Sequence, residues 1–531
     1  MGEFLPSKTT AHPASTTTTT AAASPADPVT PPPTPPTAPP TEQVYQVRPT
    51  GWETDPEEER TPLSLLESIV YCVHCNFTLF LRHDDFSSYG KRRIATVFRL
   101  GLEKTLSQVR HLVGTIEKDT PSEYAYVKKR DSSVKFVVKW FDQSEGYPSY
   151  EELERATFSA RVLGDQNEFA IRELPYGEDK PTADPNKSPT VAGFQLNFIR
   201  GGAIFTSNIH HWAIDLPGWS YFIHQLAGNC RAIALAHADT NPSAAVAFPP
   251  WDPASIDQAR WTKRLPASSL VDGPPPPQRH PGNTAEQQVL LFHIRASKAA
   301  QLKQLYPPFL TTYDAMSAFV WRHLTRARIP FYYPASSATC ASDHDGSPGN
   351  EETATSPHWH SSSSSSSSSP TPPVSFSSFS STQQYPLRDI AHYIHLLNKA
   401  KTQAQMEDTT LAYAATLRDK TSMRFNLGSK PPMSMLITDH RRANVGGVEF
   451  GVGGCTGVAH RFLNGENVAA NMTLVYPDLW KGDNKNKTGE EAGEDEPGTI
   501  WSIAMEKEIV PVLLADEEWK EFMEFRGYDS L

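Results

Sequence analysis

The chain has few cysteines, five in 531 residues. An odd number spread over a long chain does not make a disulfide framework, so we expect reduced thiols. Cys72 and Cys75 form a C-x-x-C pair, but no second pair completes a zinc site and the surrounding segment is apolar. The pattern favours buried core thiols over the alternative of redox or metal chemistry, and it predicts no bound metal.

The sequence also lacks an excess of positive charge and any long apolar run. Its net charge is -11, from 49 Lys and Arg against 60 Asp and Glu, whereas nucleic acids and anionic membranes are bound by clustered cations. No stretch reaches the roughly 20 apolar residues of a membrane helix, and the N-terminus has no secretory pattern. We expect a cytoplasmic monomer without nucleic-acid or membrane partners.

Three tracts have a composition that disfavours a packed core. Residues 1–60 are rich in Pro and Thr and then acidic, residues 336–381 contain the unbroken serine run 361–369, and residues 481–498 are polar and acidic. Such segments bury too little apolar surface to offset the entropy of ordering the chain. The composition predicts a disordered tail at 1–60, a disordered insertion at 336–381 and a surface loop at 481–498.

Two globular blocks lie between these tracts. In the first, 61–255, apolar residues between Val97 and Leu112 have helical spacing, and a β-rich section follows. The second, 288–531, alternates strand patterns with helical patterns outside the two biased tracts. The sequence therefore predicts an α/β protein of two domains, joined by a linker at 256–287.

A hairpin pattern precedes the most informative motif. Strand patterns at 194–198 and 203–207 flank Gly201 and Gly202, which suit a tight turn. The second strand leads into HHWAID at 210–215, an H-x-x-x-D spacing followed by a helical pattern. The spacing alone is weak, because a chain with 18 His and 60 acidic residues is expected to contain roughly one such pair by chance.

Three segments, taken together, resemble the BAHD family of acyl-CoA-dependent acyltransferases, and in particular its fungal branch, which includes trichothecene 3-O-acetyltransferase. QLNFIRGG at 195–202 resembles the strand and turn before the family's H-x-x-x-D motif. TYDAMSAFVWR at 312–322 resembles a helix of the second domain, and residues 438–453 resemble the T-S-W and D-F-G-W-G motifs. The resemblance implies two chloramphenicol-acetyltransferase-like domains with mixed sheets flanked by helices, and an active site in the channel between them.

The chemistry of thioester acyl transfer assigns roles to the motif. An acyl thioester is already activated, so the enzyme needs a base for the acceptor and a donor for the oxyanion. A largely neutral histidine suits the first task, and His211 is predicted to be this base, with no acyl-enzyme. The resemblance makes Asp215 structural, orienting the loop through a salt bridge to an unidentified arginine. The alternative for His210 and His211 is a pair of core histidines bonded to backbone carbonyls.

The segment at 438–440 offers two further candidates. His440 stands where the family has its oxyanion-binding tryptophan, and an imidazole N–H is still a donor; a surface histidine is the alternative. Thr438 is a candidate substrate- or CoA-binding hydroxyl, although a threonine in a strand is more often there for its β-propensity.

A glycine motif follows this segment. Its matching positions are Glu449, Phe450, Gly451 and Gly453. It departs from D-F-G-W-G at Glu449 and at Val452. In the family this motif supports the fold and CoA binding, so we expect a structural role in which the glycines provide tight backbone geometry.

The resemblance implies transfer of an acyl group, with acetyl favoured, to a hydroxyl or amine of a small secondary-metabolite-like acceptor. Acyl-CoA is then a co-substrate, and no bound cofactor is expected. A catalytically impaired ligand- or protein-binding module is the alternative, because Leu216 and His440 depart from the family and its R-x-R strand has no match between Arg328 and Tyr385. A condensation-type enzyme is a third hypothesis, disfavoured because the chain carries no adjoining carrier module.

Overall fold

A computed structural model describes residues 41–177, 180–238, 246–257, 261–262, 264–332, 386–400, 402–423, 427–463, 471–480 and 496–530. The predicted insertion at 336–381, residues 481–495 of the predicted loop and residues 1–40 of the predicted tail lie outside these ranges. Within them no helix is both long enough and apolar enough to cross a membrane.

The described strands and helices alternate along the chain in the manner of an α/β protein. The strands are β1 (Thr41–Val47), β2 (Glu58–Pro62), β3 (His74–Arg82), β4 (Thr115–Thr120), β5 (Glu123–Lys129), β6 (Val134–Trp140), β7 (Ala192–Ile199), β8 (Gly202–His210), β9 (Gln287–Arg295), β10 (Leu436–Asp439), β11 (Thr456–Phe462), β12 (Met472–Pro477), β13 (Gly498–Glu506) and β14 (Glu524–Tyr528). The helices are α1 (Leu65–Ser68), α2 (Ser88–Gln108), α3 (Tyr150–Arg155), α4 (Leu216–Ala238), α5 (Ala296–Gln304), α6 (Thr312–Tyr332), α7 (Leu387–Ala400), α8 (Gln403–Gln405), α9 (Ala412–Thr416), α10 (Val510–Ala515) and α11 (Glu517–Phe522), with a π-helical turn, Met406–Leu411, between α8 and α9.

The N-terminal sheet has the strand order β1-β6-β7-β8-β3-β11. Only the β6–β7 pair is parallel. The predicted hairpin is confirmed: β7 and β8 pair from Ile199 and Gly202 outward, and Gly201 takes the positive φ of 83° that glycine tolerates. Helices α2 and α4 pack against each other, and Phe98 and Trp219 from these helices are fully buried in the core of this sheet.

The C-terminal sheet has the strand order β10-β12-β13-β9-β14, in which only β10 and β12 are parallel. Helix α6 covers it and places Phe319 in a stacked contact with Trp519, with ring centroids 5.8 Å apart. The helix expected at 312–322 is confirmed as α6, and Thr311 Oγ1 accepts a hydrogen bond of 3.1 Å from the Asp314 backbone N–H at its start. A third, small sheet has the order β2-β5-β4. These mixed sheets flanked by helices confirm the predicted α/β fold class.

Two predicted boundaries are wrong. The tail was expected to be disordered to residue 60, but all seven residues of β1 pair with β6 and Val47 is buried, so residues 41–47 are ordered. Residues 456–462, which lie in the predicted C-terminal domain, form β11 and pair with β3 in the N-terminal sheet. Apolar alternation shows that a segment is a strand but carries no information about which sheet it joins. The chain thus returns to the first sheet after β9 and β10 of the second sheet and before its strands β12, β13 and β14.

Candidate active site

Strand β8 ends at His210, and the next residue, His211, has different surroundings. The His210 side chain is fully buried, and its Nδ1 accepts a hydrogen bond of 3.1 Å from the Trp212 backbone N–H. Its Nε2 therefore carries the proton and donates to the Ala183 carbonyl at 3.0 Å. Burial lowers the pKa of His210 to about 3. His210 is thus the core histidine, with both ring nitrogens bonded.

His211 is half-buried at the start of the loop that follows β8. Its backbone N–H donates to the Val73 carbonyl at 2.8 Å, and its Nδ1 lies 3.1 Å from the Ile214 carbonyl oxygen. A carbonyl only accepts, so Nδ1 carries the hydrogen and the neutral ring has its lone pair on Nε2. Burial lowers the pKa of His211, which keeps this neutral form populated, against the opposing effects of the Ile214 hydrogen bond and the Asp215 charge.

Asp215 has a structural role, but not the predicted one. Its Oδ1 accepts a hydrogen bond of 2.9 Å from the Gly218 N–H, and its carbonyl accepts one of 2.8 Å from the Trp219 N–H. The residue is exposed, and in the described part of the chain no arginine forms an ion pair with it. The first N–H groups of a helix lack intrahelical partners, so Asp215 is the N-cap of α4. Leu216, which replaces the family's glycine, is simply the first helical residue.

The loop after β8 is also held from β5, which the sequence did not indicate. The Tyr126 hydroxyl donates to the Trp212 carbonyl at 2.6 Å and lies 3.0 Å from a Glu67 carboxyl oxygen. The Trp212 indole N–H donates to the Val70 carbonyl at 3.1 Å. Burial raises the pKa of Glu67. These bonds fix the backbone that presents His211. No local sequence motif around Tyr126 indicates them.

His440 lies directly after β10, in a cluster of aromatic rings where the two sheets meet. Its ring stacks on His460 of β11, with centroids 5.6 Å apart and planes 8° apart. Tyr476 of β12 lies edge-on to both histidines. Trp219, in the first turn of α4, lies 5.5 Å from His460, and Phe77 of β3 contacts Trp219 and His440. We call these five residues the ring cluster. The surface alternative for His440 is wrong, because the residue is 3% exposed and burial lowers its pKa to about 4.

Thr438 lies two residues before His440, half-buried on β10 opposite Leu474 of β12. The residue between them, Asp439, holds Arg441 through two hydrogen bonds of 2.9 and 2.7 Å. This pair fixes the turn that presents His440. The ligand contact predicted for Thr438 stays a prediction.

The four predicted glycine-motif residues form the loop that leads into β11. Phe450 is fully buried and stacks on Phe98 of α2, with ring centroids 4.7 Å apart. Gly451 has a φ of +73°, and a Cβ there would lie 2.7 Å from the Cα of Arg231 on α4. Only glycine fits this contact.

The remaining motif residues make backbone contacts with the same two neighbouring regions. The carbonyl of Glu449, whose side chain is exposed, accepts a hydrogen bond of 3.4 Å from the Arg231 guanidinium. The carbonyl of Gly453 accepts one of 2.8 Å from the Asp84 N–H. The whole motif therefore packs against the region of α2 and α4, as a structural role requires.

Two cavities lie away from His211. One of about 350 Å³ is bounded by Arg82 at the far end of β3, Tyr150, His293 and Trp480, among others. The other, of about 250 Å³, adjoins the glycine motif. Because β3 pairs its opposite end with His210, the larger cavity lies a strand's length from the predicted base. Cavity volume alone therefore does not point to the predicted base.

Residues 73–230 match the family model of the trichothecene 3-O-acetyltransferase-like N-terminal domain. The acetyltransferase FGR3 of Gibberella zeae is 37% identical over 501 residues, 92% of this chain and 95% of that protein. Trichothecene 3-O-acetyltransferase TRI101 of Fusarium sporotrichioides is 24% identical over 411 residues, 75% of this chain and 81% of that protein.

The crystal structure of F. sporotrichioides TRI101, complexed with coenzyme A and T-2, covers 88% of this chain and 100% of its own, with a TM-score of 0.62 and 17% identity. At that identity the likeness supports the fold alone. The match to FGR3 along nearly the whole length of both chains carries the assignment of family. The chain therefore belongs to the trichothecene 3-O-acetyltransferase-like branch of the BAHD acyltransferases and is an acyl-CoA-dependent acyltransferase.

Proposed function

We propose that the chain transfers an acetyl group from acetyl-CoA to a hydroxyl or amine of a small secondary-metabolite-like acceptor, with His211 as the general base. One observation carries the assignment of the base: the Nδ1–H of His211 is committed to the Ile214 carbonyl, which leaves the Nε2 lone pair for a substrate proton. The relatives named as acetyltransferases support the acetyl group. TRI101 in complex with coenzyme A and T-2 or deoxynivalenol supports the class of substrates.

The reaction needs few protein groups. His211 Nε2 takes the proton of the acceptor as its oxygen or nitrogen attacks the thioester carbonyl, and an oxyanion forms on the former carbonyl oxygen. An N–H of His440 is our candidate donor to that oxyanion. Collapse of the intermediate breaks the C–S bond, and the imidazolium of His211 returns the proton to the CoA thiolate. A positioned base contributes about 10²–10⁴-fold in rate.

The other site residues support this geometry. Asp215 caps α4 and holds the loop that ends at Ile214, whose carbonyl orients the base. The Thr438 hydroxyl is a candidate contact to the substrate or to CoA, two residues from His440. A cytoplasmic monomer without nucleic-acid or membrane partners stays a prediction.

A catalytically impaired binding module is not favoured. Its motivation was Leu216 and His440, which depart from the family, and the R-x-R strand without a match between Arg328 and Tyr385, where residues 333–385 lie outside the described residues. Leu216 is accommodated as the first residue of α4, and His440 is buried with a ring that carries a potential N–H donor. The relative at 37% identity is named as an acetyltransferase.

The test is CoA release from acetyl-CoA, followed with a thiol reagent over a panel of alcohols and amines. His211→Ala should lower the acceptor-dependent rate by about 10²–10⁴-fold. His224→Ala is the matched control, because His224 is an exposed histidine on α4, outside the proposed machinery. Equal activity of His211→Ala and wild type would remove His211 from the base role. No release with any acceptor would favour the binding module.

A further inference from the structure

The ring cluster contains polar atoms that the described part of the protein leaves without partners. Four buried atoms of the cluster make no hydrogen bond within the described residues: both ring nitrogens of His460, the Nδ1 of His440 and the indole Nε1 of Trp219. All three side chains are at most 3% exposed. They come from different parts of the fold: β11, the residue after β10, and the first turn of α4.

Four such atoms in one cluster require an explanation. Each buried polar atom without a partner costs about 1–3 kcal/mol, and native proteins bond the great majority of these atoms. His210, at the end of β8, shows the usual outcome, with both ring nitrogens bonded to backbone groups. The cost in the ring cluster is offset if a bound molecule supplies the missing partners.

The cluster adjoins the proposed reaction site. Trp219 lies four residues after Asp215, and its backbone N–H donates to the Asp215 carbonyl at 2.8 Å. The ring of Trp219 then contacts His460, which stacks on His440, the candidate oxyanion donor. A molecule that reaches these nitrogens therefore lies beside the loop that presents the base.

The chemistry of the four atoms restricts the ligand. Burial lowers the pKa of His440 to about 4 and that of His460 well below its ordinary value, so both rings are neutral. A neutral imidazole offers one N–H donor and one lone pair, and an indole offers one N–H. A hydroxyl group is itself both donor and acceptor, so it matches this set.

A buried cation also adjoins the cluster. The guanidinium of Arg461 donates to the carbonyls of Thr157 and His460 at 2.7 Å and lies 4.7 Å from the centre of the Tyr476 ring. Asp529 attracts it, although burial raises the pKa of that carboxyl. A protonated amine would be repelled by Arg461, whereas an alcohol would not.

We propose that His460, together with His440 and Trp219, binds a hydroxyl group of the acceptor other than the one that is acylated. The acceptors are then alcohols whose second polar group, bound at the ring cluster, is an uncharged hydroxyl rather than an amine. This assignment rests on the proposed acetyl transfer. It makes His460 a substrate-binding residue that no motif in the sequence indicated.

The kinetic test uses the full chain and three forms of one acceptor that the alcohol panel shows to be acetylated. These are the diol, its analogue with hydrogen in place of the second hydroxyl, and its analogue with an amine in place of the second hydroxyl. His460→Phe keeps an aromatic ring and removes both nitrogens. We expect KM for the diol to rise about tenfold, the loss of one or two hydrogen bonds. The KM for acetyl-CoA and the kinetics with the monohydroxy analogue should not change. Wild type should prefer the diol to the amine.

A second measurement needs no turnover. Because His460→Phe removes two unpartnered nitrogens from the free protein, its unfolding temperature should rise by about 2 °C. His210→Phe is the matched control and should unfold at a lower temperature, because both nitrogens of His210 are bonded.

The outcomes separate the two proposals. An active wild type with unchanged KM for the diol in His460→Phe, or with a preference for the amine, overturns the role of His460 and leaves the acetyl transfer standing. An unfolding temperature of His460→Phe at or below that of wild type also overturns it, since the nitrogens then have partners in the free protein. No turnover by wild type with any acceptor is the failure of the proposed function.

Discussion

Two regions of the protein contain histidines that differ in their hydrogen bonding. One is the loop that presents His211, and the other is the ring cluster at His440 and His460. In the loop, the Nδ1 of His211 is bonded to the Ile214 carbonyl, and the neighbouring His210 has both nitrogens bonded. In the ring cluster, three histidine nitrogens are buried without partners in the described chain. Hydrogen bonds to the ring nitrogens hold a histidine in one geometry, whereas buried ring nitrogens without partners are available to bind a ligand. The loop therefore reads as the fixed part of the site and the ring cluster as the part that recognises the substrate.

The largest effect on stability is expected for a substitution at His210, which supports the loop that presents His211. His210→Ala leaves the Ala183 carbonyl and the Trp212 N–H without partners and opens a cavity under the loop. We expect the free energy of unfolding to fall by about 2–4 kcal/mol, as measured by chemical denaturation. A loss below about 0.5 kcal/mol, within the range of ordinary surface substitutions, would contradict a bonded core role for His210.

Gly451→Ala tests the fixed part at the glycine motif. The new Cβ would clash with the Arg231 backbone, at a φ that side chains rarely adopt, so we expect a loss of about 2 kcal/mol. Gly453→Ala is the control: its Cβ would come no closer than 3.3 Å, to the flexible Ile94 side chain, and its smaller loss reports the positive φ. Equal losses in thermal unfolding would show that the Arg231 contact is unimportant.

Tyr126→Phe removes the hydrogen bond between β5 and the carbonyl of Trp212. The unpaired carbonyl should cost about 1–2 kcal/mol in unfolding free energy. Because Tyr126 positions the loop but does not touch substrate, kcat should fall while KM for acetyl-CoA stays constant. A change in KM alone, with kcat unchanged, would place Tyr126 in substrate binding instead.

The smallest effect on stability is expected at Asp215, where two substitutions distinguish a helix cap from an ion pair. Asp215→Ala should cost about 1 kcal/mol of stability, whereas Asp215→Asn, which also caps helices well, should cost only a few tenths. Equal, large losses in both variants would restore the salt bridge that the family resemblance implied. Thermal unfolding at low and high salt adds a check, because an exposed ion pair weakens with salt.

Sequence reasoning reached the features that local spacing or a motif encodes. The hairpin at Gly201 and Gly202 and the loop at His211 follow from neighbouring residues, and the helix at 312–322 follows from the family resemblance. The family motif indicated His440 as a candidate oxyanion donor, and the sequence left a surface histidine as the alternative.

Contacts between distant segments were not accessible from one sequence. β1 adds to the edge of the N-terminal sheet from a tract whose composition favours disorder, and β11 crosses from one half of the chain to the other. In the chain, His460 lies 249 residues after His211, and Tyr126 lies 85 residues before it. No local periodicity links residues at such separations, so their roles emerge only from the fold.

The pH dependence of single-turnover acetyl transfer from acetyl-CoA tests the central claim most directly. His211 must be neutral to accept a proton, so protonation on lowering the pH removes activity. Burial lowers the pKa of His211 from its ordinary value of about 6.5. The rate should therefore be constant from pH 7 to 8 and fall along a single-proton limb whose midpoint lies below 6.5. A rate that stays constant to pH 4 in folded protein, or a midpoint above 6.5, would contradict His211 as the base.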